Sequence, residues 1–493
     1  MNIGKFLTEY LLGNFGDNSW LLWEGIKNKY GLYSNQDLGL YGYTNNSLIT
    51  EPFTYYPFLF LSYFVNSIFL WNLFVILFIS LSFYFTYILF KKSNSRFDSF
   101  LFSAVWISNA YFSFHSREHL SLLAGFLFPI YLLIEEGNNK NKLLFKFFFL
   151  IFSLGISNYI GVFLVFINFI YSLYKFFSEK NKSNKINLFL SAALCILLSI
   201  SLKIYFSDIQ RNIDNFTIFS FKPWHLLIQP DRALFKIYNF DEIFINKNNI
   251  LFTYFEVEHS ASFFGILVFI LLGFSLWKNK NINKKFLILL ITTLVITLPP
   301  TLTLKGVTIF TPSYLFFLLF DQFRVTARFN IFSFLLILLM ISPLFKSLKD
   351  TLKNNLLKIL LCLLIFIEIF VPFKVTPIST NQEIYKYIRE NTKKESLIII
   401  YPYDSTNIVF KDMIFIQRKI VNPYGYEIKE KDFSSKIFTR NLSCREINEQ
   451  SIKTNDLYLV EFQNSEGLKF QNSEIEKLFE EDKVKIYKVN CNE

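Results

Sequence analysis

Cysteine is scarce: the chain has four in 493 residues. None lies in a CxxC or a Cys/His cluster, so the sequence offers neither a zinc site nor a haem attachment point. Cys195 and Cys362 fall inside apolar stretches, where a thiol packs as a small hydrophobe. Cys444 and Cys491 fall in the polar carboxyl-terminal tail, where a disulfide is permitted if that tail faces an oxidising compartment. The signatures of soluble enzymes are missing as well. There is no GxSxG, no phosphate-binding P-loop, no HExxH and no GxGxxG, which argues against a transport ATPase. The amino-terminal residues carry Lys5 and Glu9 and lack an apolar core long enough for a cleavable signal peptide. No internal repeat or low-complexity linker interrupts the chain.

What the chain has in abundance is apolar surface. Hydrophobic residues make up 52% of it, and the mean hydropathy is +0.33, which places it in a bilayer rather than among soluble domains. Aromatic residues reach 19%, most of them Phe, with Tyr near the ends of the apolar stretches; that distribution fits lipid-facing helices and interfacial belts. The spanning stretches are residues 69–90, 97–115, 119–134, 143–156, 162–177, 186–204, 260–277, 286–303, 329–345 and 359–373. Several fall short of the ~20 residues that a perpendicular helix needs.

The connections alternate in charge. Lys91, Lys92 and Arg96 follow the first stretch, and further basic connections hold Lys140 and Lys142, then Lys175, Lys180, Lys182 and Lys185. Later come Lys278, Lys280, Lys284 and Lys285, then Lys346, Lys349, Lys353 and Lys358. The connections between these contain far fewer lysines. Short Lys/Arg-rich loops stay in the cytoplasm, so the net charge of +11 reads as membrane topology and not as a nucleic-acid surface. By the same parity, residues 1–56, 205–259, 304–328 and 374–493 are extracytoplasmic. The expected architecture is therefore an α-helical polytopic membrane protein of about ten spans. Residues 1–56 form a first extracytoplasmic region, and 57–373 form the transmembrane domain with external loops 205–259 and 304–328. Residues 374–493 form a small α/β domain. In that domain helices are expected over 380–391 and 473–481, and strands over 396–401, 419–422, 456–462 and 484–489. Parity also implies either that the amino terminus is translocated unaided or that an apolar helix stands upstream of residue 1, the second being the favoured expectation.

Four external clusters carry ionisable groups, which are costly beside lipid and tend to be functional there. Asp17 follows Gly16 and precedes Trp20, Trp23 and Glu24; it reads as a helix N-cap or as a general base at the membrane surface. His115, Arg117 and His119 share a very short turn, which reads either as an interfacial turn touching headgroups or as a phosphate clamp. Glu258 and His259 precede a span and read as a solvated loop end or as a site for a metal or hydroxyl. Arg324 and Arg328, four residues apart, would share a helix face. They stand on the side where positive charge is disfavoured, which points to phosphate binding, or to a partner such as Asp321.

In this order these landmarks resemble the GT-C superfamily of multi-pass membrane glycosyltransferases, in particular bacterial members with a small extracytoplasmic tail. The matching positions are Gly16-Asp17 with Trp23, Tyr56-Pro57, Asn72, Ser116–Leu120 with Pro129, Glu258 with Gly265, Arg324 to Phe329, Tyr401-Pro402 and Val421–Tyr426. The resemblance implies a polyprenyl-phosphate-linked sugar as donor and catalysis by the acidic residue of the first external loop, here Asp17. It also implies residence in a bacterial cell membrane among its lipids. The chain lacks the helix that precedes this loop in the family and has no Asp-x-Asp motif, so a divalent metal is left open. Two non-catalytic readings stand beside sugar transfer: a transporter of lipid-linked saccharides, and a scaffold for envelope assembly.

Overall fold

The computed structural model describes residues 7, 10–12, 51–137, 141–179, 182–205, 213–226, 262–278, 283–304, 307–323, 325–348, 351–377, 382–393, 396–401, 419–420, 441–443, 457–462, 469–471, 473–481 and 484–491. The chain divides into two compact units. One combines residues 1–74, 117–119 and 374–493; the other comprises 75–116 and 120–373.

Helices dominate the described residues. They are α1 (Pro52–Ser62), α2 (Ser67–Lys91), α3 (Arg96–Ile107), α4 (Ala110–Glu118), α5 (Leu127–Glu136), α6 (Lys142–Ile156), α7 (Asn158–Ser178), α8 (Lys182–Tyr205), α9 (Ile213–Ile218), α10 (Ile266–Lys278), α11 (Lys284–Thr297), α12 (Ser313–Phe320), α13 (Asn330–Ser347), α14 (Leu352–Ile369) and α15 (Gln382–Asn391). Four segments among the described residues are long and apolar enough to cross a membrane: Ser67–Lys91, Asn158–Ser178, Ser183–Ile204 and Thr326–Ser347.

Local chemistry sets the boundaries. The side-chain oxygens of Ser95, Ser157, Asn283 and Thr351 each accept a backbone N–H in the first turn of α3, α7, α11 and α14, occupying donors that a helix start leaves open. Asn66 does the same for Ile68 and Phe69 at the start of α2. Lys91, Lys175, Lys203, Lys278 and Lys346 occupy last turns, where a cation meets the negative end of the helix dipole.

Several expected spans are interrupted. The stretch 97–115 breaks between α3 and α4, where Asn109 turns its Oδ1 to the Tyr111 N–H and its Nδ2 to the Phe263 carbonyl. Residues 116–118, expected as part of a very short turn, instead complete α4. The stretch 119–134 opens as a 3-10 turn at Leu120–Leu123 before α5 begins. The stretch 260–277 starts late, at Ile266, because Gly265 has a φ of +87°, outside helical space. The stretch 286–303 stops at Thr297, ahead of Pro299 and Pro300, and the chain continues as the hairpin β2 (Thr301–Leu304) and β3 (Val307–Phe310), numbered after β1 below.

In the second unit α13 is the central post. Its apolar window is 89% buried, against 28% for Ser183–Ile204 on α8. Phe332 stacks on Phe128 of α5 at 5.1 Å, Phe329 on Phe163 of α7 at 4.2 Å, and Phe345 lies 4.7 Å from Phe102 of α3; such pairs add roughly 0.5–1.5 kcal/mol each beyond area burial. The opposite faces of α6 and α8 leave Phe145, Phe148, Phe152, Phe189 and Leu197 exposed, a surface suited to lipid and not to water. Between α7 and α8 lies a buried polar seam. Asn168 donates to Ser191, Asn187 donates to Ser172, and the Tyr131 hydroxyl lies 3.4 Å from Asn168. Cys195 and Cys362 are free and buried, in keeping with their apolar setting.

The lysine-rich helix ends converge. Glu135, at the end of α5, is fully buried and faces three lysines. Lys146 of α6 lies 2.9 Å away, Lys175 of α7 at 3.2 Å and Lys142 at 4.0 Å. Burial alone would raise the Glu135 carboxyl, but the ammonium groups of Lys146 and Lys175 outweigh it and hold the group down at about 2. Asp98 in the first turn of α3 meets Lys358 of α14 at 2.9 Å, both fully buried. Lys92 reaches Glu136 at 3.5 Å, and Lys278 of α10 donates to Ser347 of α13.

In the first unit Asn72 is a clamp. Its Oδ1 accepts from Leu12 N at 2.7 Å and its amide donates to the carbonyls of Leu7 and Tyr10, while Trp71 Nε1 donates to Leu12. This holds β1 (Tyr10–Leu12), which pairs antiparallel with β4 (Val375–Pro377). The tail builds a mixed five-stranded sheet. It comprises β5 (Leu397–Tyr401), β6 (Lys419–Ile420), β8 (Leu457–Phe462), β10 (Ser473–Glu481) and β11 (Val484–Cys491), in the order β10-β11-β8-β5-β6. A separate parallel pair joins β7 (Asn441–Ser443) and β9 (Lys469–Gln471). Residues 473–481, expected as a helix, are a strand instead: they pair antiparallel with β11 from Ser473 opposite Cys491 to Glu481 opposite Val484. Helix α15 packs Tyr387 against Phe479 at 4.6 Å. The Cys444–Cys491 pairing lies outside the described residues.

Candidate functional site

At the end of the second unit away from the lysine clusters, four stretches of chain knot around the start of α13. Thr326–Phe329 form a 3-10 turn that runs into α13. Ala327 N donates to the Phe219 carbonyl, and the Ser262 hydroxyl donates to the Ala327 carbonyl. Asn330 donates to Ser262 at 2.9 Å and accepts from Thr297 at 3.2 Å and from Ser333 at 3.3 Å. Phe221 N donates to the Thr297 carbonyl, and Phe264 N to Leu226. Asn330 is wholly buried and ties the segment before α10 to α11 and α13 through side chains alone, so removing it costs three buried hydrogen bonds.

Arg328 sits in this knot. It is 6% exposed, and its guanidinium carbon lies 5.0 Å from the centre of the Tyr159 ring at the start of α7. Phe323 packs edge-on against the same ring at 4.7 Å. Arginine stays charged at any physiological pH, and a guanidinium placed over an aromatic face gains a cation–π attraction from it. Close by in sequence, Asp321 Oδ1 and Gln322 Oε1 are buried acceptor oxygens with no hydrogen-bond partner among the described residues. A buried acceptor without a donor costs about 1–3 kcal/mol, and a hydroxyl-rich ligand would supply the missing donors. On the adjoining segment, Lys222 N donates to His225 Nδ1, and burial pushes the Lys222 ammonium below its usual range.

The same end holds Glu368. Its carboxylate accepts the backbone N–H groups of Ile266 and of Leu267, the latter at 3.2 Å, as the cap of α10. This is a structural use of a charge at a positive helix end.

The expected site residues are distributed as follows. Arg328 is buried and central. Of the segment expected to share a helix face, Val325 has φ −91° and ψ 70°, outside helical space, and Thr326–Phe329 coil as a 3-10 turn. His115 is buried on α4, 4.3 Å from Tyr111 and edge-on to it. Arg117 is in the last turn of α4, and His119, just beyond, is half-buried; both belong to the first unit. Asp17, Glu24, Glu258, His259 and Arg324 lie outside the described residues. Among the described residues no three His, Cys, Asp or Glu side chains gather to hold a metal ion. Sequence reasoning passed over Tyr159, Gln322 and Lys222. Nothing in their local pattern separates them from other polar residues at span ends; what singles them out is the packing of α7, α12 and the 213–226 segment about one end of α13.

The architecture defines the class: a mainly helical protein with, among the described residues, four helices long and apolar enough to cross a membrane and a charged group buried at the end of the most enclosed of them. More particularly, the chain belongs to the family of a domain of unknown function, DUF6311, which matches residues 56–369. That match runs from α1 to the end of α14. A comparison with curated proteins found no match.

Proposed function

We propose that this chain is a membrane glycosyltransferase of the GT-C kind, moving a sugar from a polyprenyl-phosphate donor to an acceptor hydroxyl on the extracytoplasmic face of a bacterial cell membrane. About ten apolar segments would span or enter the bilayer, with the lysine-rich ends inside. The tail, as an α/β domain, would lie outside. The observation that carries the reading is Arg328: a permanent cation, buried at the lysine-poor end of the central helix and presented on an aromatic ring. A buried charge at that depth marks a functional site, and a guanidinium matches a phosphate. The orphaned acceptors of Asp321 and Gln322 suit sugar hydroxyls.

In the transfer step the acceptor oxygen attacks the anomeric carbon and forms the new C–O bond. The bond from that carbon to the phosphate oxygen breaks with inversion, and polyprenyl phosphate departs with the electron pair. Arg328, with Arg324, meets the charge that grows on the departing phosphate. Asp17 takes the acceptor's proton, a role worth roughly 10²–10⁴-fold.

The test is purified protein in liposomes with radiolabelled polyprenyl-phosphate hexoses and pentoses, scored for release of polyprenyl phosphate. Wild type should turn over at least one donor, and Arg328→Gln should lower kcat by roughly 10²-fold or more. Asp17→Asn should abolish transfer at normal expression. Full activity in Arg328→Gln, or no turnover by a folded wild type with any donor, would overturn the reading.

A further inference from the structure

The lysine-bearing end of the second unit encloses a cavity of about 430 Å³ between the ends of α2, α5, α10 and α13 and the start of α11. Its two halves differ in chemistry. The floor is buried and mostly apolar, with Leu89, Phe286, Leu339 and Met340. The mouth is polar and exposed, with Lys92 and Lys346 facing it and Glu136 on the rim.

The floor is built, not accidental. Pro343 lies within α13 and has no N–H for the Leu339 carbonyl. The Ser342 hydroxyl donates to that carbonyl instead, at 3.0 Å, and Ser275 of α10 donates to Met340 at 2.6 Å. Both carbonyls thereby carry side-chain donors at the cavity wall. A second feature lies in the mouth. The Asn94 amide nitrogen donates to Phe90 and Ser93, but its Oδ1 is buried and has no hydrogen-bond partner among the described residues.

We infer that this cavity is a binding site for an anionic phospholipid bearing hydroxyls on its headgroup. The phosphate would lie between Lys92 and Lys346, a headgroup hydroxyl would donate to Asn94 Oδ1, and the first acyl carbons would rest on Leu339 and Met340. Three observations converge. Two ammonium groups against the one carboxylate of Glu136, itself 3.5 Å from Lys92, leave the mouth net positive, as a phosphate requires. The apolar floor excludes a fully hydrated small anion as the sole occupant. The volume holds a headgroup with a few methylenes, while the rest of the lipid continues along the exposed helix faces. Basic pockets between membrane helices take anionic headgroups in this way. The site is independent of the sugar-transfer reading and lies at the other end of the same bundle.

The experiment is native mass spectrometry of the detergent-purified full chain, titrated with phosphatidylglycerol or with phosphatidylcholine of identical acyl chains, alongside thermal unfolding with each lipid. Phosphatidylglycerol should be retained at least tenfold better and should raise the unfolding temperature. The double variant Lys92→Gln/Lys346→Gln should lose roughly tenfold or more in retention, yet unfold like the wild type in lipid-free detergent. Lys92→Arg/Lys346→Arg should keep it. Equal retention of the two lipids, undiminished retention in the double Gln variant, or saturation by inorganic phosphate that excludes the lipid would each overturn the inference.

Discussion

Replacing Glu135 by Gln should be among the most damaging single changes in the helical unit. The carboxylate is fully buried and answers three ammonium groups. The lysines are not equivalent. The side chain of Lys146 is 4% exposed, whereas Lys175 and Lys142 retain 22% and 29% and can swing towards water. Removing the negative charge therefore strands chiefly Lys146, and stranding one buried charge costs about 3–5 kcal/mol. The carboxyl group leads to a similar figure by another route. Its descent from 4.5 to about 2 corresponds to about 3 kcal/mol favouring the ionised, folded form. The sign follows from the lowered value: the contribution is complete above about pH 4.5 and is lost as pH falls from there through about 2. Glu135→Gln should thus unfold about 3–5 kcal/mol more easily than wild type at pH 7, with the gap closing on acidification. Glu135→Leu/Lys146→Leu, which removes the deepest pair together, should be the milder change. Denaturant titrations in a fixed detergent, followed by size-exclusion fluorescence, measure this. A Glu135→Gln protein within about 0.5 kcal/mol of wild type, or a double Leu variant worse than the single one, would refute the reasoning.

Gly265→Ala should destabilise by about 1–3 kcal/mol, because φ is +87° and an added Cβ would stand 2.5 Å from the Glu368 carboxylate; thermal unfolding checks it, and Gly265→Ala/Glu368→Ala should recover only the steric part. Asn72→Ala removes three hydrogen bonds to residues 7–12, so limited proteolysis should cut near Tyr10 at a rate raised about tenfold or more. Asp98→Asn leaves Lys358 buried against a neutral amide and should cost about 3–5 kcal/mol, whereas Asp98→Asn/Lys358→Met should restore most of it.

Long apolar runs made most of the helices legible, since a helix buried in lipid or in a Phe-rich core needs them whatever its partners. The breaks were harder. Residues 97–115 read as one span because both α3 and α4 are apolar; what separates them is Asn109 bonding to Phe263, a contact 154 residues distant. The strand β10 reads as a helix because Glu474, Glu476, Lys477, Glu480 and Glu481 suit a solvated helix as well as an edge strand, and its antiparallel partner β11 decides. Arg328 stood out for a physical reason: a positive residue where the charge rule disfavours one. Its aromatic platform, Tyr159, comes from another helix and has no local signature. Lys358 reads as a loop charge, although it is the buried partner of Asp98, and Lys146, inside the apolar stretch 143–156, gives no sign in the sequence that Glu135 is its buried partner.

Those pairings bear on how the topology is to be counted. If buried carboxylates cancelled the lysines, the charge asymmetry behind the proposed orientation would vanish. They do not. Glu135 compensates one of the three ammonium groups around it, and Asp98 removes only Lys358. Lys91, Lys92, Lys278, Lys284, Lys346 and Lys353 are exposed at the same end, and it is exposed charge that anionic headgroups attract. The orientation should therefore survive Asp98→Asn and respond to loss of exposed lysines. With Lys353→Cys and Lys386→Cys introduced one at a time into a Cys444→Ser/Cys491→Ser background, position 386 being 65% exposed on α15 and Cys195 and Cys362 already buried, a membrane-impermeant maleimide applied to intact cells should label position 386 alone. Permeabilised cells should label both. Labelling of position 353 in intact cells, with 386 protected, would invert the proposed sidedness and remove Arg328 from the compartment in which sugar transfer was placed.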